Sequence, residues 1–408
     1  MNQLTLFLPC AAGVEDYLAP EILRITGLPP GCITKQRGGV AVRTSFAHAM
    51  LLNLYSRLAQ RVLVLVSYTE YRNEQDLYRA AMAVPWEQWF TPKESIKVEI
   101  TAQHSPLTSL NFAALKVKDA ICDRFRETSG GVRPDVDTQW PDVRIYAHLT
   151  TDSCSLYIDS SGEPLFKRGW REDKGEAPLK ETLAAAMLAA SGWDAAVPLY
   201  DPCCGSGTIA IEAAQLACGI APGLLRRFGF ERLVPFQAQV WSEMRDEARA
   251  RQRAPAAPVF GSDVAFRMVD FAQRNAERAG VAHAVQLRGG DAMQRMPPTD
   301  EPGVMLVNPP YGERIETAGV AGRSQGGRER AQVADEGADF FTQLAAHWKR
   351  HYAGWTAWVL TPDLKLPTRM RLKESRRVPL WNGPIECRLF RFDMVKGSAR
   401  AGDARPGA

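Results

Sequence analysis

From residue 199 onward, short apolar segments alternate with helical segments, and this alternation constrains the fold more than any other feature of the sequence. Short strands separated by helical crossovers are typical of a mostly parallel sheet with helices on both faces. The predicted strands are residues 199–200, 259–260, 285–287, 304–307 and 355–360. Because ligands of such sheets bind outside the carboxyl ends of the strands, we expect a Rossmann-like α/β domain with its site at that edge.

An α+β region precedes the parallel sheet. Val14, Leu18, Ile22 and Ile25 repeat at helical spacing between two short apolar strands. A second α+β unit and a charged connector follow them. We predict an N-terminal module at 1–68, a second module at 69–160, the Rossmann-like domain at 161–395 with a long flexible loop at 316–336, and a flexible tail at 396–408.

The composition excludes several classes of protein. The 408 residues carry a net charge of +4, so nucleic-acid binding cannot be argued from bulk charge, and any basic surface must be local. The eight cysteines include no C-x-x-C pair, which fits reduced thiols better than a zinc ribbon. The apolar start at 4–12 lacks the basic region of a signal peptide, and no segment approaches the ~20 apolar residues of a membrane helix. We therefore expect a cytoplasmic protein without a metal site or a membrane partner.

The first strand of the parallel sheet runs into a glycine-rich turn, with the sequence DPCCGSGT at residues 201–208. Gly205 and Gly207 allow a tight turn and a close approach of the backbone to a ligand. No lysine follows as in a P-loop, and the carboxylate of Asp201 would repel a pyrophosphate. The turn therefore predicts a ligand with an ammonium or hydroxyl group, although an ordinary glycine-rich turn is the alternative.

Two acidic residues follow the next two strands. Asp263 ends the second strand, where a Rossmann-like sheet holds a ribose diol, and Asp291 follows the third. Each residue alone is more often a helix cap or a loop acid. Their recurrence after successive strands favours a role in binding the same ligand.

The fourth strand is followed by Asn308-Pro309-Pro310-Tyr311, the motif that most narrows the chemistry. Two consecutive prolines fix φ and remove two backbone donors, so the turn is rigid and its carbonyls point outward. The Asn308 oxygen and the Pro309 carbonyl can accept both N–H groups of an exocyclic amine, while Tyr311 stacks on the ring of the base. The motif predicts catalysis at an amino nitrogen but does not distinguish adenine from guanine as the target base.

These motifs resemble those of a known family. DPCCGSGT and NPPYGER look like the cofactor-binding and catalytic motifs of class I methyltransferases that act on amino nitrogens. The sequences KRGWR at 167–171, APLKE at 177–181 and IAPG at 220–223 are similar to those in THUMP-containing RNA guanine-N2 methyltransferases. Upstream, residues 111–121 and 133–137 resemble the THUMP domain.

The resemblance covers roughly residues 4–395 and is strongest to the bacterial large-subunit (23S) rRNA guanine-N2 methyltransferases. It implies a ferredoxin-like N-terminal module, a THUMP domain and a Rossmann-like methyltransferase domain that uses S-adenosyl-L-methionine. Asp201 would lie near the methionine end of this cofactor, Asp263 on the ribose and Asp291 near the adenine amine. The cofactor-binding residues implied are Asp201, Pro202, Gly205, Gly207, Thr208, Asp263, Asp291 and Asn308. Some family members carry a second, C-terminal methyltransferase domain that these residues lack, so a single reaction is expected.

Basic residues in three regions are candidates for contacts with RNA phosphates, although a solvated surface is the commoner explanation for such charges. The candidates are Lys116, Lys118, Lys167, Arg168, Arg171, Arg369 and Arg371. Cys203 and Cys204 are rejected as nucleophiles, because no histidine is near them in sequence and methylation of an amine needs no covalent enzyme intermediate.

Three alternatives to methylation of 23S rRNA stay open. The motif alone permits an adenine-N6 methyltransferase acting on DNA, which the THUMP resemblance disfavours. A tRNA guanine-N2 methyltransferase is the alternative of the same class, with tRNA as the partner. A non-catalytic RNA-binding or ribosome assembly protein is the alternative of another class, and the intact motif at 308–311 argues against it.

Overall fold

The computed structural model describes residues 3–175, 178–309 and 333–395, and it divides the chain into two compact units. The first unit contains the residues up to Gly169 together with Ile220–Gln252. The second contains Trp170–Gly219 and the residues from Arg253 onward. The predicted tail, nearly all of the predicted loop, and Pro310 and Tyr311 lie outside the described residues.

Strands and helices alternate along most of the described chain. The strands are β1 (Leu4–Pro9), β2 (Ile33–Gln36), β3 (Gly39–Thr44), β4 (Leu63–Glu70), β5 (Ile96–Ala102), β6 (Val143–Leu149), β7 (Ser153–Asp159), β8 (Leu199–Asp201), β9 (Val259–Asp263), β10 (Val285–Gly289), β11 (Val304–Val307), β12 (Thr356–Thr361), β13 (Arg376–Asn382) and β14 (Ile385–Asp393). The helices are α1 (Glu15–Thr26), α2 (Phe46–Tyr55), α3 (Glu74–Ala83), α4 (Leu110–Thr128), α5 (Glu181–Ser191), α6 (Thr208–Ala217), α7 (Ala238–Ala250), α8 (Phe266–Arg278), α9 (Val333–His351) and α10 (Leu366–Met370).

In the first unit, seven strands form one sheet in the order β2-β3-β1-β4-β7-β6-β5. Its neighbouring strands are antiparallel, except for the parallel pair β5 and β6. β4 pairs with β7 from Leu63↔Asp159 to Glu70↔Ser153. This ladder places the two modules that the sequence separates near residue 68 in a single sheet.

Residues 220–252 lie between α6 and β9 in sequence, but they pack within the first unit. The Gly223 N–H donates to the Leu54 carbonyl oxygen at 3.0 Å. A Cβ on Gly223 would lie 2.9 Å from the Leu54 Cα, so this close approach requires glycine. The Arg226 guanidinium donates to the carbonyl oxygens of Ser161, Glu163, Pro164 and Lys167. The sequence-based division assigned this insertion to the Rossmann-like domain, because contacts between distant segments leave no local pattern.

The second unit contains the predicted parallel sheet, with the strand order β10-β9-β8-β11-β12-β14-β13. β10, β9, β8, β11 and β12 are parallel, whereas β14 is antiparallel to both of its neighbours. The strand order reverses at β8, which has β9 on one side and β11 on the other. The α/β class predicted from the sequence is confirmed, while the hairpin of β13 and β14 was not foreseen.

A buried core fixes one face of this sheet. Met305 and Val307 of β11 and Val359 of β12 are fully buried and pack with Trp348 of α9. The Tyr200 hydroxyl lies 2.6 Å from the Ser262 hydroxyl and so links β8 to β9. Each fully buried side chain of this size contributes ~1.5–3 kcal/mol, so the core holds the strand ends in fixed positions.

Candidate functional site

A cleft of about 620 Å³ lies at the carboxyl ends of β8, β9 and β11 in the second unit. Asp201, Asp263, Asp291 and Asn308 all line it, together with the turn between β8 and α6. This is the point where the strand order reverses and where such sheets bind ligands. The structure thus brings the predicted acids, the glycine turn and the start of the proline motif into one cleft.

The glycine turn has a backbone that favours glycine. Gly205 and Gly207 have φ values of +51° and +89°, in the left-handed region. A Cβ on Gly207 would lie 3.0 Å from the Ala272 Cβ on α8, whereas a Cβ on Gly205 would meet no atom within 4 Å. Gly207 therefore allows α6 to pack against α8, and Gly205 leaves open space for a ligand.

Arg171 holds this turn from within the protein. Its guanidinium donates to the Thr208 hydroxyl at 2.7 Å and to the Ser206 hydroxyl at 3.0 Å, and it pairs with Glu181 at 2.7 Å. Only 12% of the Arg171 side chain is exposed. The prediction that Arg171 binds RNA is therefore wrong, because its donors are occupied by the turn and by α5.

Asp263 connects the end of β9 to the glycine turn. Its Oδ2 accepts the Gly205 N–H at 2.9 Å, and its Oδ1 accepts the Ala265 N–H at 2.9 Å. Burial raises the pKa of Asp263, and these two hydrogen bonds oppose that shift. Each carboxylate oxygen can accept a further hydrogen bond, so Asp263 can receive two hydroxyl groups while it holds the turn.

Asp201 is almost completely buried, with 1% of the residue exposed. Its Oδ1 accepts the Cys203 N–H at 3.1 Å, and none of the described lysines or arginines forms an ion pair with it. Burial, with a smaller contribution from the charge of Asp263, raises the pKa of Asp201 to about 8. A ligand that brings a positive charge would stabilise its ionised form.

The loop after β10 fixes Asp291. Its Oδ1 accepts the Met293 N–H at 2.9 Å, and its carbonyl oxygen accepts the Arg295 N–H at 2.9 Å. The Arg295 carbonyl oxygen in turn lies 2.7 Å from the His347 Nε2 and accepts the Tyr352 hydroxyl at 2.9 Å. Asp291 is thereby held at the cleft by contacts to the core of the unit.

Asn308 presents an unused acceptor. Its Oδ1 is buried and has no hydrogen-bond partner among the described residues. A buried polar atom without a partner costs about 1–3 kcal/mol, so a ligand N–H group that reaches this oxygen would bind favourably. Pro309 also lines the cleft. The roles predicted for Pro310 and Tyr311 stay predictions, since both lie outside the described residues.

The residues of the cleft fit the expected cofactor. S-adenosyl-L-methionine carries an ammonium group, a sulfonium, a ribose diol and an adenine amine. The buried carboxyl groups of Asp201 and Asp263 suit its positive charges and hydroxyls. The open space at Gly205 allows its close approach to the backbone.

The apolar wall of the cleft was not predicted from the sequence. Met268 and Phe271 of α8 and Phe340 of α9 line it. Helix residues on the first turns after a strand-end acid face the same edge of the sheet, and this rule could have identified the two residues of α8. Burial raises the pKa of the Cys203 and Cys204 thiols well above the usual range, which agrees with their rejection as nucleophiles.

The remaining basic candidates differ in exposure. Arg168 is 2% exposed and donates to the carbonyl oxygens of Leu165 and Arg57, both at 2.8 Å, so the prediction that it contacts phosphates is wrong. Lys116 lies over the Phe112 ring, and Lys118 pairs with Asp119. Lys116 and Lys118 are half-buried and stay predictions. Three exposed candidates also stay predictions: Lys167, Arg369 and Arg371.

Three family models match the chain. An RlmL ferredoxin-like domain matches residues 5–63, a THUMP domain matches 71–159, and an RMKL-like methyltransferase domain matches 168–323. None of the helices in the described part of the chain has the length and apolar character that a membrane crossing requires.

Curated relatives cover nearly the whole chain. Ribosomal RNA large subunit methyltransferase K/L of Aeromonas hydrophila is 35% identical over 96% of this chain and 54% of its own length. The protein of the same name from Shewanella amazonensis is 37% identical over 97% of this chain and 54% of its own length. The chain therefore spans about half the length of these relatives.

Solved structures of similar proteins share the whole architecture. SMU.472, described as a methyltransferase and solved in complex with SAH, is 26% identical, with a TM-score of 0.83, over 98% of this chain and 100% of that chain. A possible methylase from Clostridium difficile 630 is 27% identical, with a TM-score of 0.84, over 97% and 100%. An N6-adenine-specific DNA methylase predicted in Listeria monocytogenes is 27% identical, with a TM-score of 0.82, over 96% of both chains.

Proposed function

The chain combines an RlmL ferredoxin-like domain, a THUMP domain and an RMKL-like methyltransferase domain, and on this premise we propose that it methylates the N2 amino group of a guanine in 23S ribosomal RNA. S-adenosyl-L-methionine is its cofactor, as the methyltransferase domain and the SAH-bound neighbour support. We place the reaction in the cytoplasm, where ribosomal RNA is made and assembled in bacteria.

The Oδ1 of Asn308, which has no hydrogen-bond partner in the part of the chain that the structure describes, is the observation that carries this proposal. An acceptor in a methyltransferase cleft, at the first residue of the Asn-Pro-Pro-Tyr motif, suits one N–H of an exocyclic amine. The Pro309 carbonyl is the proposed acceptor of the second N–H. Two acceptors on the same amine raise the electron density on a nitrogen whose lone pair is otherwise delocalised into the ring.

The cofactor supplies an activated methyl group on a sulfonium. The chain would contribute position and charge, since Asp263 would hold the ribose and Asp201 lies in a buried part of the cleft where a cationic ligand would stabilise its ionised form. Holding the amine in line with the methyl group replaces a bimolecular encounter by a positioned one. The Asn308 oxygen strengthens its hydrogen bond as positive charge develops on the nitrogen, and the proton then leaves to solvent.

Ribosomal RNA is favoured as the substrate over the alternatives. The curated relatives at 35% and 37% identity are named as large-subunit ribosomal RNA methyltransferases. The neighbour named as an N6-adenine-specific DNA methylase is 27% identical. The THUMP domain supports an RNA substrate.

The test is to map methylated guanines in 23S rRNA and in tRNA from a strain that lacks the gene. We expect one N2-methylguanine to disappear from 23S rRNA and to return with the wild-type gene but not with Asn308→Ala. Loss of a modification from tRNA alone would replace ribosomal RNA by tRNA in the proposal. Unchanged methylation in both RNAs, together with no binding of S-adenosyl-L-methionine in calorimetry, would favour a non-catalytic protein.

A further inference from the structure

Positive charge is concentrated in one stretch of the second unit. Between Lys349 and Arg377 the chain has eight lysine and arginine residues and two acidic residues, a net charge of +6, whereas the whole chain carries +4. We call the eight residues the basic track: Lys349, Arg350, Lys365, Arg369, Arg371, Lys373, Arg376 and Arg377. The remainder of the chain is therefore net negative, and the track is the kind of local basic surface that bulk charge conceals.

Most of the basic track is not neutralised by ion pairs. Arg369 pairs with Asp363 at 3.1 Å, and Arg377 pairs with Glu374 at 2.7 Å. The other six residues form no ion pair within the described part of the chain: Lys349, Arg350, Lys365, Arg371, Lys373 and Arg376. These side chains have their charges available for a polyanion.

Two hydrogen bonds connect α9 to the segment of the track that follows β12. The Thr342 hydroxyl donates to the Arg369 carbonyl oxygen at 3.2 Å, and the Lys349 ammonium donates to the Arg371 carbonyl oxygen at 2.8 Å. Thr342 and Lys349 are two turns of helix apart, which corresponds to about 10 Å. The segment that carries Arg369 and Arg371 thus packs against α9 and lies close to Lys349.

Two arginines of the sheet edge are placed opposite each other. Arg376 of β13 is the register partner of Arg391 of β14, and their guanidinium groups lie 6.0 Å and 5.8 Å from the Trp358 ring. Like charges that face each other across a ladder are destabilising. Arg391 has Asp393 as a partner at 2.9 Å, whereas Arg376 has no acidic partner among the described residues. A bound anion would offset this repulsion.

The track begins beside the candidate site for the target base. Val307 of β11 is the parallel register partner of Val359 of β12, so Asn308 and the chain after Thr361 emerge at the same edge of the sheet. Phe340 of α9, which lines the cleft, belongs to the same buried core as Met370 of α10. The first cation of the segment after β12, Lys365, therefore follows the edge that carries Asn308.

We propose that the basic track binds backbone phosphates of the RNA that flank the target nucleotide. This inference rests on the proposed function, because it assigns the catalytic unit its own contact with the same RNA. Contacts of the THUMP domain with the RNA would be separate from these, and the track would orient the strand from which the base is flipped.

The test compares the salt dependence of RNA binding by full-length variants, with 23S rRNA transcribed in vitro as the probe. We expect the triple variant Lys365→Gln, Lys373→Gln, Arg376→Gln to lose at least about tenfold in affinity at 100 mM KCl. The slope of log K against log [KCl] should fall by roughly 2, since each lost phosphate contact removes ~0.7–0.9. Affinity for S-adenosyl-L-methionine should stay unchanged, which shows that the variant is folded.

A matched control removes three exposed arginines elsewhere, with Arg249→Gln, Arg251→Gln, Arg253→Gln. We expect its slope to stay within about 0.5 of the wild-type value, because these three arginines belong neither to the track nor to the predicted RNA contacts. Equal slopes for the wild type and the track variant, or equal losses in the track and control variants, would overturn the inference and leave the proposed function standing. A wild-type protein that binds no RNA would overturn both.

Discussion

The second unit contains two charged regions that differ in sign and in burial. Asp201, Asp263 and Asp291 line the cleft, where burial raises the pKa of the first two. The eight cations of the basic track are exposed, and six of them have no acidic partner among the described residues. A charge in a low-dielectric site interacts strongly at short range. Exposed charges are screened by salt, so several of them are required for a comparable attraction. The cleft thus suits the binding of a small cationic ligand, and the track suits the attraction of a polyanion.

The two regions also differ in their effect on the stability of the folded state. A carboxyl group with a raised pKa destabilises the folded state at any pH at which the unfolded chain would ionise it. The exposed cations avoid this cost, because they stay hydrated. We therefore expect substitutions in the cleft to change stability and binding in opposite directions, and substitutions in the track to change binding alone.

The largest effect should come from Asp201→Asn. Because the folded pKa of Asp201 is raised to about 8, the wild type loses stability as the pH rises from the unfolded pKa towards 8. Asparagine keeps the acceptor for the Cys203 N–H and never ionises. The advantage of the variant over the wild type in the free energy of unfolding should therefore grow by up to about 1.4 kcal/mol per pH unit between pH 5 and 8.

Urea unfolding across this pH range measures the difference. A variant whose advantage stays constant with pH would mean that Asp201 is ionised in the free protein. Calorimetry at pH 8 should show weaker binding of S-adenosyl-L-methionine by the variant, because the cationic ligand loses its buried carboxylate.

Asn308→Ala should lower the rate of methyl transfer by at least ~100-fold and leave cofactor affinity nearly unchanged. The physical reason is the loss of one preorganised acceptor for the amine, which typically costs ~3 kcal/mol of barrier. Single-turnover methylation of 23S rRNA measures the rate, and calorimetry checks the cofactor. A near-normal rate in the folded variant would remove Asn308 from the reaction.

Asp263→Ala should weaken cofactor binding by about tenfold or more, since two charge-assisted hydrogen bonds to the ribose are lost. Because the site is buried, the ratio of wild-type to variant affinity should change less than about twofold between 50 and 500 mM KCl. Asp291→Ala, in the loop after the next strand, is the matched comparison. A ratio for Asp263→Ala that shrinks steeply with salt would show that this carboxylate acts as an exposed charge and not as a buried ligand.

The polar residues of the cleft were predictable from the sequence, whereas the nearby arginines and β13 were not. Asp263 and Asn308 follow short apolar strands, and strand ends in a parallel sheet meet at one edge, so a local pattern sufficed. Arg168 and Arg171 could not be assigned in this way, because an arginine satisfied by carbonyl or hydroxyl oxygens has the same local sequence as one on the surface. β13 was missed because Arg376, Arg377 and Pro379 interrupt its apolar pattern.

The insertion at 220–252 and the single sheet of the first unit were not predicted, and the reason is the same for both. Gly223 meets Leu54, and β4 meets β7, across long stretches of sequence. Contacts of this kind depend on the tertiary fold and leave no period in the chain. Such contacts are therefore not predictable from the sequence alone.

The smallest effect should come from a single charge of the track. Lys373→Gln should weaken the binding of 23S rRNA about two- to fivefold at 100 mM KCl, and the salt slope should fall by ~0.7–0.9. Lys373→Arg keeps the charge and should leave the slope unchanged, so the pair separates charge from side-chain packing. The difference between Lys373→Gln and the wild type should vanish near 500 mM KCl, whereas the loss caused by Asp263→Ala persists there. If the Lys373→Gln deficit survived high salt, the lysine would act through a specific, desolvated contact, and the contrast between a buried acidic cleft and a screened basic track would fail.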